Sequence, residues 1–212
     1  MLNIYITKLF DDALLYFNKL NSNEQTRINK QKNINKQKQM ITAMVLLEYA
    51  LKDSGYKGDV NVEYLPKPML KNSNLMISKS HSNDYVAVSV SDENSGLDIE
   101  KITTVKTPHK LLFIDELKIY EKTDNKKKKD VFTMYWTAKE AYIKYYGSLT
   151  KEYKNIYFNI EKTINNINIG KIDDLFCYQS FFYNYSLAVA SKKFIAPNVV
   201  FVRKEDLLNE VK

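Results

Sequence analysis

Three short stretches of the chain carry the residues able to do chemistry. Gly96-Leu97-Asp98-Ile99-Glu100 sets two carboxylates two residues apart. On a strand such a pair projects from one face, while Leu97 and Ile99 turn the other way into a core. Side-by-side carboxylates repel, so they need solvent or a divalent cation between them. Hard Mg2+ takes oxygen ligands of this kind and keeps water and phosphate oxygens in its shell. An ordinary edge strand with an acidic outer face fits the same pattern. The second stretch runs from Val131 to Tyr146. At helical spacing Phe132, Tyr135, Trp136, Ile143 and Tyr146 form an apolar stripe, with Lys139 inside it and Glu140 at its edge. A charge within a buried stripe breaks the local rule and marks a candidate site. Glu140 and Lys144 lie one turn apart, which an intrahelical ion pair also explains; Lys139 has no such account. The third stretch is Ser80-His81-Ser82, preceded by Lys67 between Pro66 and Pro68, whose rings hold that lysine on an extended support. No Gly-x-Ser-x-Gly elbow accompanies His81, which argues against a hydrolytic triad. The five glycines are scattered and form neither a P-loop nor a dinucleotide fingerprint, so a bound phosphate would have to be held by side chains.

The elements that must position these residues follow from periodicity. Residues 1–10 alternate as a strand, with Leu2, Ile4 and Ile6 on one face. A helix is expected over about 25–52, basic at first and then apolar at Ile41, Met44, Val45, Leu47 and Leu51, and ended by Asp53-Ser54-Gly55. Tyr85 to Ser91 and Leu97 to Glu100, separated by Asp92-Glu93-Asn94-Ser95-Gly96, read as a hairpin. Beyond them come helices near 109–121 and 130–146, split by the Lys126 to Lys129 run, and strands near 155–160, 175–180, 184–191 and 198–203. Each half is thus a long helix followed by short strands. The expected fold is α+β, two pseudo-symmetric lobes, each a long helix on a small, mostly antiparallel sheet, divided as residues 1–100 and 101–212.

Composition removes several classes. The 212 residues are 44% hydrophobic and 13% aromatic, enough to build a core, so disorder is excluded. One cysteine, Cys177, rules out an internal disulfide framework, and with His81 and His109 as the only histidines a structural zinc site lacks ligands. Residues 1–10 lack the apolar core of a signal peptide and no run is long enough to span a membrane, so a cytoplasmic protein is expected. The net charge of +7 attracts any acidic partner without specifying it.

Lys67-Pro68, Ser80-His81-Ser82, Gly96-Leu97-Asp98-Ile99-Glu100 and Trp136-Thr137-Ala138-Lys139-Glu140-Ala141-Tyr142-Ile143-Lys144, in this order and spacing, resemble the signature of the 4′-phosphopantetheinyl transferases. The length is similar to that of the larger, monomeric, two-lobed Sfp-type members. The resemblance implies transfer of 4′-phosphopantetheine from coenzyme A to a serine of an apo acyl or peptidyl carrier protein, with release of adenosine 3′,5′-bisphosphate. It implies Mg2+ held by Asp98, Glu100 and Glu140, and phosphate contacts from Lys139 and Lys144. Lys67, Ser80 and His81 match positions that grip the nucleotide part of coenzyme A. Where the family presents an arginine-rich or His-Arg stretch, this chain reads Lys36-Gln37-Lys38-Gln39-Met40, and only Arg27 is carried over as a contact. Candidates for taking the serine proton are Glu140, a metal-bound water and Glu116. Leu111-Leu112-Phe113-Ile114 and the aromatics beyond Lys129 form the candidate carrier-docking patch, helped by the lysines. Neither nucleic acid nor membrane is expected as a partner. The rivals are a basic, non-catalytic nucleic-acid-binding protein, which leaves the three acids without a role, and another Mg2+-dependent phosphotransferase or nuclease, which leaves Lys67-Pro68 and Ser80-His81 to coincidence.

Overall fold

The computed structural model describes residues 1–210. Strand β1 (Leu2–Lys8) follows the expected alternation, yet Ile4 to Thr7 are all buried because both faces of the strand are covered. The helix expected over 25–52 is two: α1 (Ser22–Asn29) and α2 (Ile34–Asp53). Asn33 starts the second of them, its side chain accepting from the amides of Asn35 and Lys36. Asparagine competes well for orphan amides at a helix start, and that local competition breaks what the apolar period alone would continue.

The chain then forms β2 (Val62–Glu63), β3 (Met69–Leu70), β4 (Met76–Ser82) and β5 (Tyr85–Ser91). With β1 and the late strand β11 (Asn198–Phe201) they make a six-stranded sheet in the order β11-β1-β5-β4-β3-β2, antiparallel except where β11 lies parallel to β1. Strand β6 (Ser95–Lys101) does not pair with β5, contrary to the expected hairpin. Both edges of β5 are taken, by β1 and β4, so the chain after Ser91 must leave the sheet. The strand opens a second sheet.

Helices α3 (Ile114–Lys122) and α4 (Lys128–Tyr146) come next, α3 starting later than expected because a single 3-10 turn occupies Pro108–Lys110. Strands β7 (Asn159–Ile164), β8 (Ile167–Ile172), β9 (Leu175–Phe182) and β10 (Tyr185–Ser191) complete a five-stranded antiparallel sheet in the order β6-β10-β9-β8-β7. A 3-10 turn at Tyr153–Asn155 displaces the strand expected at 155–160 to β7, and β8 had no counterpart in the sequence reading. Helix α5 (Lys204–Glu210) follows β11 and packs on α2.

Each sheet carries one long helix on its outer face, α2 on the first and α4 on the second, and Leu2, Ile4, Ile6, Leu97, Ile99, Leu187 and Val189 fill the layer between the two sheets. The fold is therefore α+β, two helix-on-sheet lobes stacked sheet to sheet. The buried face of α4 runs through Tyr135, Ala138, Lys139, Ala141 and Tyr142, whereas Trp136 and Ile143 are half-buried and Tyr146 is exposed. The stripe expected from the aromatics is thus rotated, since the small residues Ala138 and Ala141 let the helix approach the sheet.

That approach rests on one glycine. A Cβ at Gly96 would sit 2.0 Å from the Ala141 carbonyl oxygen and 2.3 Å from the Tyr145 amide nitrogen, backbone atoms that cannot rotate away. Gly96→Ala is expected to lower stability by about 1–3 kcal/mol or more, the usual cost of overpacking, read as a lower urea midpoint. An unchanged midpoint would contradict this contact.

Candidate active site

β6 is the edge of the second sheet, and its outward amides would be orphans if nothing met them. Alternation along β4 turns Ser78, Ser80 and Ser82 toward it, and their hydroxyls accept from the amides of Leu97 (3.0 Å), Ile99 (3.2 Å) and Lys101 (3.1 Å). Two of the same hydroxyls donate onward: Ser80 Oγ to Asp98 Oδ1 (2.7 Å) and Ser82 Oγ to Glu100 Oε2 (2.8 Å). The seam between the lobes thus presents the two expected acids side by side.

α4 crosses this seam at Gly96 and brings in Lys144 and Glu140. Lys144 Nζ lies 2.6 Å from Asp98 Oδ1 and 2.8 Å from Ser80 Oγ, not on Glu140 as an intrahelical pair would have it. Glu140 Oε1 instead accepts from the Tyr153 hydroxyl at 2.7 Å. The Tyr153 ring stacks on Trp136 at 4.8 Å, so Trp136 helps to hold Glu140 indirectly.

Asp98 is 2% exposed, and its Oδ2 is buried with no hydrogen-bond partner. Burial pushes the Asp98 carboxyl above the ordinary carboxylate range despite Lys144. Burial and then the charge of Asp98 raise Glu100 to about 7, and burial with the same charge also raises Glu140. Lys144 opposes these upward shifts without reversing them. Among the described residues no group of three His, Cys, Asp or Glu side chains stands ready as a metal cluster. The donors nonetheless suit a hard cation: they are all oxygen, and Asp98 Oδ2 is a buried anionic atom in want of a partner.

Lys139 and Glu116, expected at the reacting end, pair with each other in the interior. Both are fully buried, with Lys139 Nζ 2.6 Å from Glu116 Oε2. The lysine's remaining protons go to the carbonyls of Leu111 (2.8 Å) and Tyr153 (3.0 Å). Glu116 also accepts from the amides of Phe113 and Phe158. All three Nζ donors are engaged inside the fold, so Lys139 offers none to a phosphate, and Glu116 is shielded from any substrate proton. The charge that breaks the apolar stripe fastens α4 to α3 and the 150s loop.

The opposite face of β4 carries Ile77, Lys79 and His81. A pocket of about 360 Å3 opens there, lined by Arg27, Lys36, Tyr64, Lys79 and His81 among others. Arg27 and His81 therefore line one pocket, although they are far apart in the chain. His81 is exposed at the pocket mouth, and partial desolvation there, with the charge of Lys144, holds it below its ordinary value. Lys67 hydrogen-bonds Asn94 Oδ1 and the Tyr145 carbonyl, in a neighbouring cleft of about 260 Å3 that also takes in Ser78, Lys79 and Lys144. The two cavities share Pro68 and Lys79, and the second reaches Lys144 of the acidic cluster. Lys79 was not among the sequence candidates. Its signal was present all the same, a lysine at an inward position of a strand two residues from His81.

Residues 95–194 match the family model of the 4′-phosphopantetheinyl transferase superfamily. This stretch is a 4′-phosphopantetheinyl transferase superfamily domain. It begins at β6 and takes in Asp98, Glu100, Glu140 and Lys144, so the superfamily match covers the acidic half of the site. Arg27, Lys67, Ser80 and His81 lie upstream of it in the first lobe. No curated protein matches the chain. Phosphopantetheinyl transfer is the general activity that the superfamily match supports.

Proposed function

We propose that the protein transfers 4′-phosphopantetheine from coenzyme A to a serine hydroxyl of an apo acyl or peptidyl carrier protein, as a cytoplasmic monomer of the two-lobed Sfp type. The observation that supports this reading is the side-by-side pair Asp98 and Glu100 on the serines of β4, with Asp98 Oδ2 unpartnered, beside a basic pocket. Asp98, Glu100 and Glu140 would hold Mg2+. Bound there, the ion supplies charge neutralisation at the pyrophosphate as its bridging bond breaks.

This chain's own residues supply position and proton transfer. The serine oxygen bonds to the phosphorus bearing the pantetheine arm, the P–O bond to adenosine 3′,5′-bisphosphate breaks, and the serine proton passes to Glu140. Tyr153 fixes the orientation of Glu140 for that task. Lys144 moves between Asp98 and the substrate phosphates, its three donors meeting charge that builds up in the transition state. Lys67 and His81 line the cavities that would take the nucleotide, and Ser80 works from the seam by holding Asp98 and Lys144 in register.

The test is intact-mass spectrometry of apo carrier proteins incubated with the protein, coenzyme A and Mg2+, with a chelator control. A metal-dependent gain of one phosphopantetheinyl group supports the reading. No gain on any acyl or peptidyl carrier, together with no coenzyme A binding, sinks it.

A pH dependence follows from Lys79, whose ammonium lies at depth against the Tyr64 ring and is pushed down to about 7 by burial, with Arg27 lowering it and Glu24 opposing. The other groups facing that pocket are Tyr64, Lys36 and His81. An anion binds the protonated lysine, so binding takes up a proton wherever Lys79 is neutral in the free protein. Coenzyme A affinity is therefore expected to fall between about pH 7 and pH 9, above the second phosphate pKa of about 6. Titration calorimetry at several pH values checks this, and Lys79→Gln should flatten the slope.

A further inference from the structure

A buried carboxylate in the first lobe has no part in the reaction described above. Glu24 is 1% exposed, at the start of α1, where Asn21 caps the helix by accepting the Glu24 amide. Its two oxygens face different partners: Oε2 meets Arg27 Nε at 3.4 Å, and Oε1 accepts from the Tyr64 hydroxyl at 2.5 Å. The same hydroxyl accepts from Lys79 Nζ at 2.7 Å. The Arg27 guanidinium lies over the Tyr64 ring, 3.9 Å from its centroid. One anion is thus tied to two cations at a single aromatic ring, to Arg27 directly and to Lys79 through the Tyr64 hydroxyl, and both cations line the pocket that contains His81.

Burying an acid costs stability unless its partners compensate, and the partners of this acid, Arg27, Tyr64 and Lys79, line a pocket. Arg27 and Lys79 repel each other and, without a shared counter-charge, their long side chains would disperse into solvent at different places. Held by Glu24 directly and through Tyr64, they are ordered before a ligand arrives, which lowers the ordering entropy that binding must offset.

We propose that Glu24 and Tyr64 are positioning residues for coenzyme A: they aim Arg27 and Lys79 at the phosphomonoester of the nucleotide and so set the preference for coenzyme A over its 3′-dephospho form. This rests on the coenzyme A reading above. Neither residue touches the ligand by its side-chain charge, since Glu24 is buried and would repel phosphate.

Tyr64→Phe removes only the bridging hydroxyl and keeps the ring under Arg27; Glu24→Gln keeps the shape and removes the charge. Equilibrium binding of coenzyme A and of 3′-dephospho-coenzyme A is measured with each, beside steady-state transfer. The expected result is a loss of about tenfold in coenzyme A affinity, as for one hydrogen bond between charged groups. Affinity for the dephospho form should stay within about twofold and the kcat at saturating coenzyme A should be unchanged, so that KM alone rises. Tyr64→Phe stands as the test even if Glu24→Gln does not fold. Wild-type discrimination retained in Tyr64→Phe, or equal losses for both ligands, overturns the proposal while leaving the transferase reading in place. A wild-type protein that binds no coenzyme A overturns both.

Discussion

Asp98→Asn is expected to reduce phosphopantetheinyl transfer by about three orders of magnitude, with Glu140→Gln close behind, while the protein stays folded. Removing one preorganised electrostatic partner of a transition state typically costs about 100- to 1000-fold, and Asp98 serves in three ways. Its Oδ1 holds Lys144 and Ser80, its Oδ2 is the buried anionic atom open to a cation, and its charge raises the proton affinity of both Glu100 and Glu140. Stability should change little. The carboxamide oxygen can keep the Lys144 and Ser80 bonds, and the fold exchanges one unpartnered buried oxygen for an unpartnered amide. Single-turnover transfer at saturating Mg2+ and coenzyme A, run beside urea unfolding, separates these effects. Turnover within tenfold of wild type in either variant would remove these acids from the mechanism.

The second large effect is on stability. Lys139→Met leaves the Glu116 carboxylate charged, fully buried and without its cation, and it leaves the Leu111 and Tyr153 carbonyls without their donor. Breaking one side of a buried ion pair costs about 3–5 kcal/mol, most of it the isolated charge. Glu116→Gln is expected to cost nearly as much by stranding Lys139. The double variant Lys139→Met with Glu116→Leu should recover the part of the loss due to the stranded charge, while the Leu111 and Tyr153 carbonyls and the Phe113 and Phe158 amides stay without these partners. Urea unfolding of the two single variants and the double checks this. Single variants within about 1 kcal/mol of wild type would mean that the pair holds nothing together. Transfer should fall as well, since Lys139 grips the Tyr153 carbonyl while the hydroxyl of the same tyrosine orients Glu140.

The seam shows how far local pattern reaches. That Asp98 and Glu100 share a face follows from the period of a strand, and the structure places both against the serines of β4. That Lys144 belongs with Asp98 could not be read locally, because the helix offered Glu140 one turn away as an equally good partner. The contact that decided it, Lys144 to Ser80, spans 64 residues. The same holds for Lys139. The sequence flagged it as out of place on an apolar stripe but could not reveal that Glu116, on another helix, was waiting for it.

By itself, then, the sequence determined what depends on neighbours along the chain: the α+β class, the long helices apart from the break at Asn33, most of the strands of the second lobe, the shared face of the two acids, and the signature matched by the superfamily model over residues 95–194. The tertiary structure alone decided the lateral choices. It sent β6 to the second sheet because both edges of β5 were occupied. It returned β11 to the first sheet, beside β1. It gathered Glu24, Tyr64 and Lys79 from a helix, a loop and a strand into one chain of hydrogen bonds. Periodicity fixes which way a side chain faces, whereas its partner is fixed by which backbone edges and buried charges remain unsatisfied once the whole chain has packed.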